Sequence, residues 1–204
     1  SVKCFKRYTR YVVEHLSPYV NEWCTINEPN VYAVNTFMFG QWLNEERSFF
    51  TTMKVLRSLG KCHVEAYKLI HEIQKDARVG IALNITYFEP KRPHNLLDKI
   101  GTWFHDRGFN LAIGNAMGYD KLIFPLGFSR KKGEYFDYLG INYYTTNVVK
   151  RMTNTFPENR SYNDLGWAIT PDNFRKALLR FHKWFKKDVY ITENGTPDKV
   201  DAFR

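Results

Sequence analysis

Val79-Gly80-Ile81-Ala82-Leu83-Asn84 is a run of five residues without a polar side chain, closed by an asparagine. A run with no polar alternation fits a strand buried on both faces, the habit of parallel sheets. Upstream of it, residues 51–75 keep Val55, Leu59, Cys62, Ala66, Leu69 and Ile73 at helical spacing. The same helix-then-strand unit recurs outward in both directions. Towards the N-terminus, Val2, Phe5, Tyr8, Val12 and Leu16 share one face of a predicted helix that Ser17-Pro18 ends. Trp23-Cys24-Thr25-Ile26 then forms a short strand stopping at Asn27-Glu28-Pro29. Towards the C-terminus, a less regular helix is predicted over 96–116, followed by the strand Tyr138-Leu139-Gly140-Ile141 and its exit Asn142-Tyr143-Tyr144. Thr170-Pro171-Asp172 opens a fourth helix, with Thr170 as cap and Pro171 in the first turn. Phe174, Ala177, Leu178, Phe181 and Phe185 form its expected buried side, and Lys186-Lys187 suit its C-terminal dipole. Val189-Tyr190-Ile191-Thr192 is the last strand, closing at Glu193-Asn194-Gly195.

Asn27, Asn84, Asn142 and Asn194 each stand at a strand exit, 57, 58 and 52 residues apart. Strands separated by helices return parallel, because a parallel return needs a crossover. A doubly wound sheet and a (β/α)8 barrel both satisfy this pattern. No Gly-rich phosphate fingerprint follows any strand, which argues against dinucleotide and P-loop sites. Polar residues collected at strand C-termini are where barrel enzymes keep their chemistry.

Composition narrows the function classes. A formal charge of +9 invites a nucleic-acid reading, but the 30 Lys and Arg are spread along the chain, and the densest run, 175–187, carries its own apolar stripe. It reads as the solvated face of an amphipathic helix, so no nucleic-acid partner is expected. Aromatic residues make up 17% of the chain, enough for a large core or a sugar-stacking cleft. Cys4, Cys24 and Cys62 form no CxxC pair and look like reduced thiols of a cytoplasmic protein. No apolar run approaches a membrane span. His63 and His71 share a helix but have no carboxylate or thiol at metal-ligand spacing, so no metal is expected.

Glu28 and Glu193 end two different strands of one parallel sheet and therefore open on the same face. The residue before a proline avoids the right-handed helical region, so Glu28 is expected in extended backbone. Paired carboxylates serve glycoside hydrolysis, with one protonating the leaving oxygen while the other attacks the anomeric carbon or activates water. A lone glutamate at a strand end is more often a surface ion-pair group. Here the surrounding residues add to the pair. Thr25-Ile26-Asn27-Glu28-Pro29 resembles the acid/base motif of glycoside hydrolase family 1, and Tyr190-Ile191-Thr192-Glu193-Asn194-Gly195 resembles that family's nucleophile motif. Gly140-Ile141-Asn142-Tyr143-Tyr144 matches the segment between them. The resemblance runs over essentially the whole chain, including Asp198 to Arg204.

The resemblance implies a (β/α)8 TIM barrel of which residues 1–204 are one incomplete domain, carrying about strands four to seven. It further implies a retaining β-glycosidase with Glu193 as nucleophile and Glu28 as general acid/base, acting on carbohydrate without cofactor. By the same resemblance Asn27 meets the sugar 2-hydroxyl, Tyr144 holds the nucleophile, and Asn142 lies near that subsite. The region 105–136 is shorter than in the family and matches it poorly, and the sugar-recognition motifs of the other strands are absent, which leaves the sugar open. Tyr32, Phe37 and Trp42 follow the acid/base strand and either line the aglycone side or simply pack. A competing reading is a truncated, non-catalytic glycan-binding remnant. Half a barrel has two unpaired strand edges, which a homo-oligomer or the missing barrel segments would cover.

Overall fold

The computed structural model describes residues 1–42, 47–155 and 157–200; the last part of the expected C-terminal match, 201–204, lies outside the described residues. Four strands contain the apolar runs that precede the asparagines: β1 (Glu22–Asn27), β2 (Arg78–Pro90), β3 (Tyr138–Lys150) and, after a short β4 (Thr153–Thr155), β5 (Asp188–Asn194). β1 and β5 stop at Asn27 and Asn194 as expected, whereas β2 and β3 stay paired past Asn84 and Asn142, which are therefore mid-strand and not at strand exits. β1, β2, β3 and β5 are parallel and lie side by side in chain order, while β4 folds back antiparallel on the far end of β3. A doubly wound sheet would reverse its strand order at a switch point. None is present among the described strands, so of the two topologies that the pattern allows, this is the barrel's.

α1 (Val2–Leu16) precedes β1; α2 (Pro29–Ala33) and α3 (Phe49–Ile73) lie between β1 and β2, α4 (Leu96–His105) and α5 (Ala112–Tyr119) between β2 and β3, and α6 (Pro171–Phe185) before β5. The odd-numbered positions of β2 and β3 (Ile81, Leu83 and Ile85; Leu139, Ile141 and Tyr143) face outward into a core shared with Leu56, Ile113, Met117, Phe181 and Phe185. The other face carries the stacked rings of Tyr138 and Tyr190 low down, with Gly80, Ala82 and Gly140 beside them and Asn84 and Asn142 above. Gly140 is needed there because a Cβ would lie 2.8 Å from the Ile81 carbonyl oxygen and 2.9 Å from Thr192 Cγ2.

Three further sequence expectations need correction. The α1 stripe is rotated by one residue: Thr9 and Val13 are buried, whereas Tyr8 is 63% and Leu16 46% exposed. α1 leans on one neighbour, α3, through a narrow seam, and Thr9 enters it because its hydroxyl donates to the Phe5 carbonyl 2.9 Å away. The helix expected over 96–116 is interrupted by a π-helical turn, Asp106–Leu111. Asn110 causes the inward pull: its side chain donates to the Thr86 carbonyl (2.8 Å) and accepts from the Thr86 amide (3.3 Å), satisfying β2 where its ladder with β3 slips. Thr170 does not cap α6 with its side chain. Its hydroxyl is spent on Tyr143 and Thr146, 2.9 and 3.0 Å away.

Two edges of the sheet, along β1 and β5, have no strand partner among the described residues. On the basic helix α6, Arg180 turns inward, pairing with Asp106 at 2.9 Å and lying over the Tyr87 ring. No described helix is long and apolar enough to cross a membrane.

Candidate active site

Two register slips aim the glutamates. From Tyr138↔Asp188 to Ile141↔Ile191 the β3–β5 ladder runs evenly, and then Asn142 pairs with Glu193, leaving Thr192 as an extra residue. Successive side chains on a strand point to opposite faces, so one inserted residue moves Glu193 onto the face of Asn142. β1 slips in the same way between Cys24 and Asn27 against Gly80 and Ala82. Asn84 pairs with Asn142 across β2 and β3. The result is one transverse row, Asn84–Asn142–Glu193, with Asn27 and Glu28 beside it.

That row is continuously hydrogen-bonded. Asn142 is fully buried, and its Nδ2 donates both to Glu28 Oε1 (3.0 Å) and to Asn27 Oδ1 (3.1 Å), while Thr192 donates to its Oδ1 (2.5 Å). Asn27 Nδ2 in turn donates to Glu193 Oε1 (3.1 Å), and the Tyr144 hydroxyl donates to Glu193 Oε2 (2.5 Å). Glu28 Oε1 takes a second amide hydrogen from Asn84 Nδ2 (2.8 Å). Burial, and then the bond to the Glu193 carboxylate, push the Tyr144 hydroxyl above its ordinary range, so it stays a donor. Two side-chain amides thus span the space between the carboxylates, and both acids line one cleft. All five residues singled out in the sequence meet here. Asn142 has its amide filled by protein partners, which makes it an orienting residue of the cluster.

Glu28 departs from expectation in its backbone. It is left-handed (φ 48°, ψ 51°), not extended. The following proline disfavours the right-handed region only, and the left-handed one turns the chain at once from β1 into α2 while its amide still donates to the Ala82 carbonyl (2.8 Å). A non-glycine residue held this way costs about 1–3 kcal/mol, and such strain gathers at functional sites.

Sequence reading missed three supports. Asn84 and Thr192 bear directly on Glu28 and Asn142; the asparagine spacing pointed at the former, and nothing in the sequence marked the latter as a bulge. The third is His63, considered in the sequence only as a metal ligand and set aside. It is fully buried on α3, with Nδ1 2.7 Å from Thr25 Oγ1 and Nε2 2.6 Å from the Tyr135 carbonyl. It thereby ties the strand that carries Glu28 to the loop before β3. Burial pulls its imidazole down from 6.5 to about 4, against the opposing pull of the Tyr135 carbonyl and the Asp137 charge. Because the folded form binds the proton more weakly than the unfolded one, this contribution is complete above pH 6.5 and is lost as pH falls towards 4. The loss amounts to about 3 kcal/mol at full development. Urea midpoints of the native protein and of His63→Asn, compared at pH 7 and pH 4.5, should show a smaller acid-induced drop in the variant. Equal drops would contradict this.

The cleft that both glutamates line holds about 1070 Å³. Of the three aromatics that follow β1, Trp42 lines it, whereas Tyr32 and Phe37 pack edge to face on each other, 5.9 Å apart. The cysteines are free, with Cys4 and Cys24 exposed and Cys62 buried.

Comparison with known proteins agrees with this architecture. The model of glycosyl hydrolase family 1 matches residues 1–109. The whole chain is 30% identical to the chloroplastic galactolipid galactosyltransferase SFR2 of Arabidopsis thaliana, of which it covers 32%. It is 26% identical, over 94% of its length, to beta-glucosidase A of Thermotoga maritima, of which it covers 47%. The solved structure of a T. maritima beta-glucosidase in complex with deoxynojirimycin superposes with a TM-score of 0.87 at 25% identity, over 97% of this chain and 49% of that one. The chain therefore spans between a third and a half of the length of these relatives, and its sheet is part of a (β/α)8 barrel.

Proposed function

The chain belongs to glycosyl hydrolase family 1, and from that premise we propose that its glutamate pair is the reacting centre of a retaining β-glycosidase, within a single incomplete barrel domain over residues 1–204. The observation that supports this most is the amide relay from Glu28 through Asn142 and Asn27 to Glu193. Glu193, fixed by Asn27 and Tyr144, attacks the anomeric carbon and the glycosidic C–O bond breaks. Glu28 gives its proton to the departing oxygen. With two amide hydrogens already directed at its Oε1, the proton belongs on Oε2. Water, deprotonated by Glu28, then attacks the glycosyl-enzyme and releases Glu193. Asn27 has one amide hydrogen left for the sugar 2-hydroxyl. The substrate class is a β-linked glycoside, glucoside or galactoside, and the reaction calls for no cofactor.

The test is hydrolysis of aryl β-glucosides and β-galactosides by the longest polypeptide that carries these residues. Tyr144→Phe removes one hydrogen bond to a charged carboxylate and should lower kcat/KM by about tenfold to a hundredfold. An unchanged rate would remove Tyr144 from the site. A second reading, glycosyl transfer, draws on the relative named as a galactosyltransferase. It uses the same covalent intermediate, intercepted by a sugar hydroxyl in place of water. Product analysis with added acceptor sugar separates the two. A protein that binds glycans but turns over neither glycoside would instead favour the non-catalytic remnant, for which the open edges of β1 and β5 provide the structural reason.

A further inference from the structure

Glu28 closes a ring of hydrogen bonds between β1 and β2. Its own amide donates to the Ala82 carbonyl (2.8 Å), and its Oε1 accepts from Asn84 Nδ2 (2.8 Å). The chain leaves β1 at Glu28 through the left-handed turn, and a side chain then continues the pairing. Asn30, two residues on and 2% exposed, donates from Nδ2 to the Asn84 carbonyl (2.7 Å) and to the Phe109 carbonyl (3.3 Å). One asparagine thus ties the segment that carries Glu28 both to the residue whose amide meets Glu28 and to the π-helical turn Asp106–Leu111.

That turn grips β2 a second time, two residues further along. Asn110, 1% exposed, supplies both bonds to Thr86 described above, where the ladder with β3 slips between Ile85 and Tyr87. Its Nδ2 also meets Asp106 Oδ1 at 2.6 Å, and Asp106 Oδ2 accepts from Arg180 of α6 at 2.9 Å. π-Helical turns are rare and concentrate at functional sites. Buried amides that simply pair stray backbone groups are common. These two are set apart by what they hold: the Asn84 carbonyl and both backbone groups of Thr86, so the stretch that bears the Asn84 side chain is pinned on either side of Ile85. Asn142 donates to Glu28 Oε1 as well, but a carboxyl held by one bond can turn about it, and the second bond, from Asn84, fixes its plane.

We propose that Asn30 and Asn110 are positioning residues for the proton transfers of Glu28. They hold Asn84 so that its amide keeps Oε1 occupied and leaves Oε2 aimed first at the leaving oxygen and then at the attacking water. This rests on the glycosidase reading given above. Neither asparagine makes or breaks a bond; both act through Asn84.

The experiment compares Asn30→Ala, Asn30→Ser and Asn110→Ala with the unsubstituted sequence, in the longest polypeptide that carries these residues. The substrates are methyl and dinitrophenyl β-glucosides and β-galactosides. A methoxide leaving group needs a proton, so kcat/KM for the methyl glycosides should fall about tenfold to a hundredfold. Dinitrophenolate leaves without one, so its kcat/KM should stay within about twofold, while its kcat falls because water still needs a base. Structural damage alone would lower both substrates together. An equal loss on the two leaving groups, or no loss on methyl glycosides, overturns the proposal and leaves the glycosidase reading standing. If Asn30→Ala does not fold, the other two variants carry the comparison; if none folds, the asparagines serve stability alone and the proposal falls. An unsubstituted protein that cleaves neither substrate sinks the glycosidase reading, and this role with it.

Discussion

Glu193→Gln should remove nearly all turnover, a loss of about 10⁴-fold or more in kcat with aryl and alkyl glycosides alike. Glutamine keeps the shape of the side chain and can still accept from Asn27 and Tyr144 at one oxygen, so the relay survives in part. What it lacks is a charged oxygen able to form the glycosyl ester. The effect should be indifferent to the leaving group, because no leaving group, however good, replaces the missing nucleophile. Substrate affinity should change little by comparison, and calorimetry on the variant checks that the fold and the cleft are retained.

Glu28→Gln should behave differently, and the difference identifies the role. With a dinitrophenyl glycoside, whose oxygen departs without a proton, formation of the intermediate should be nearly unaffected. Its hydrolysis should slow, because the general base is also gone, and a burst of phenol followed by a slow steady state is the expected trace. With an alkyl glycoside the same variant should lose about 10²–10⁴-fold, the usual worth of a positioned acid. Glutamine at position 28 would also turn one amide against those of Asn84 and Asn142, unless it presents its oxygen to them as Glu28 Oε1 now does. Equal activity of the two variants on every substrate would overturn the assignment of roles.

How far the sequence reached follows from where each signal resides. The strands were readable because β2 and β3 are buried on both faces and so carry uninterrupted apolar runs. Glu28 and Glu193 were readable because strand exits in a parallel sheet share one face, and because the flanking residues match a family's motifs. The bulge at Thr192 was not, since it is a property of pairing between β3 and β5 and leaves no mark in either strand alone. The same holds for His63: its two partners, Thr25 and Tyr135, are far away along the chain and meet it only after α3 docks. The left-handed backbone of Glu28 was misread because the rule for pre-proline residues removes one region of conformational space, and the tight exit into α2 selected another. The stripe of α1 failed for a third reason. Counting large apolar residues favours Tyr8 over Thr9, whereas a seam against a single helix admits a small hydroxyl that bonds its own backbone.

Mechanism-based trapping reads out directly whether Glu193 is the nucleophile. The longest polypeptide carrying these residues is incubated with a 2-deoxy-2-fluoro β-glycoside bearing a dinitrophenolate leaving group, digested, and sequenced by mass spectrometry. A single fluorosugar ester is expected on the peptide containing Tyr190-Ile191-Thr192-Glu193, absent from Glu193→Gln. An ester on any other residue, or steady hydrolysis of the ordinary glycoside with no trapped adduct, would contradict it.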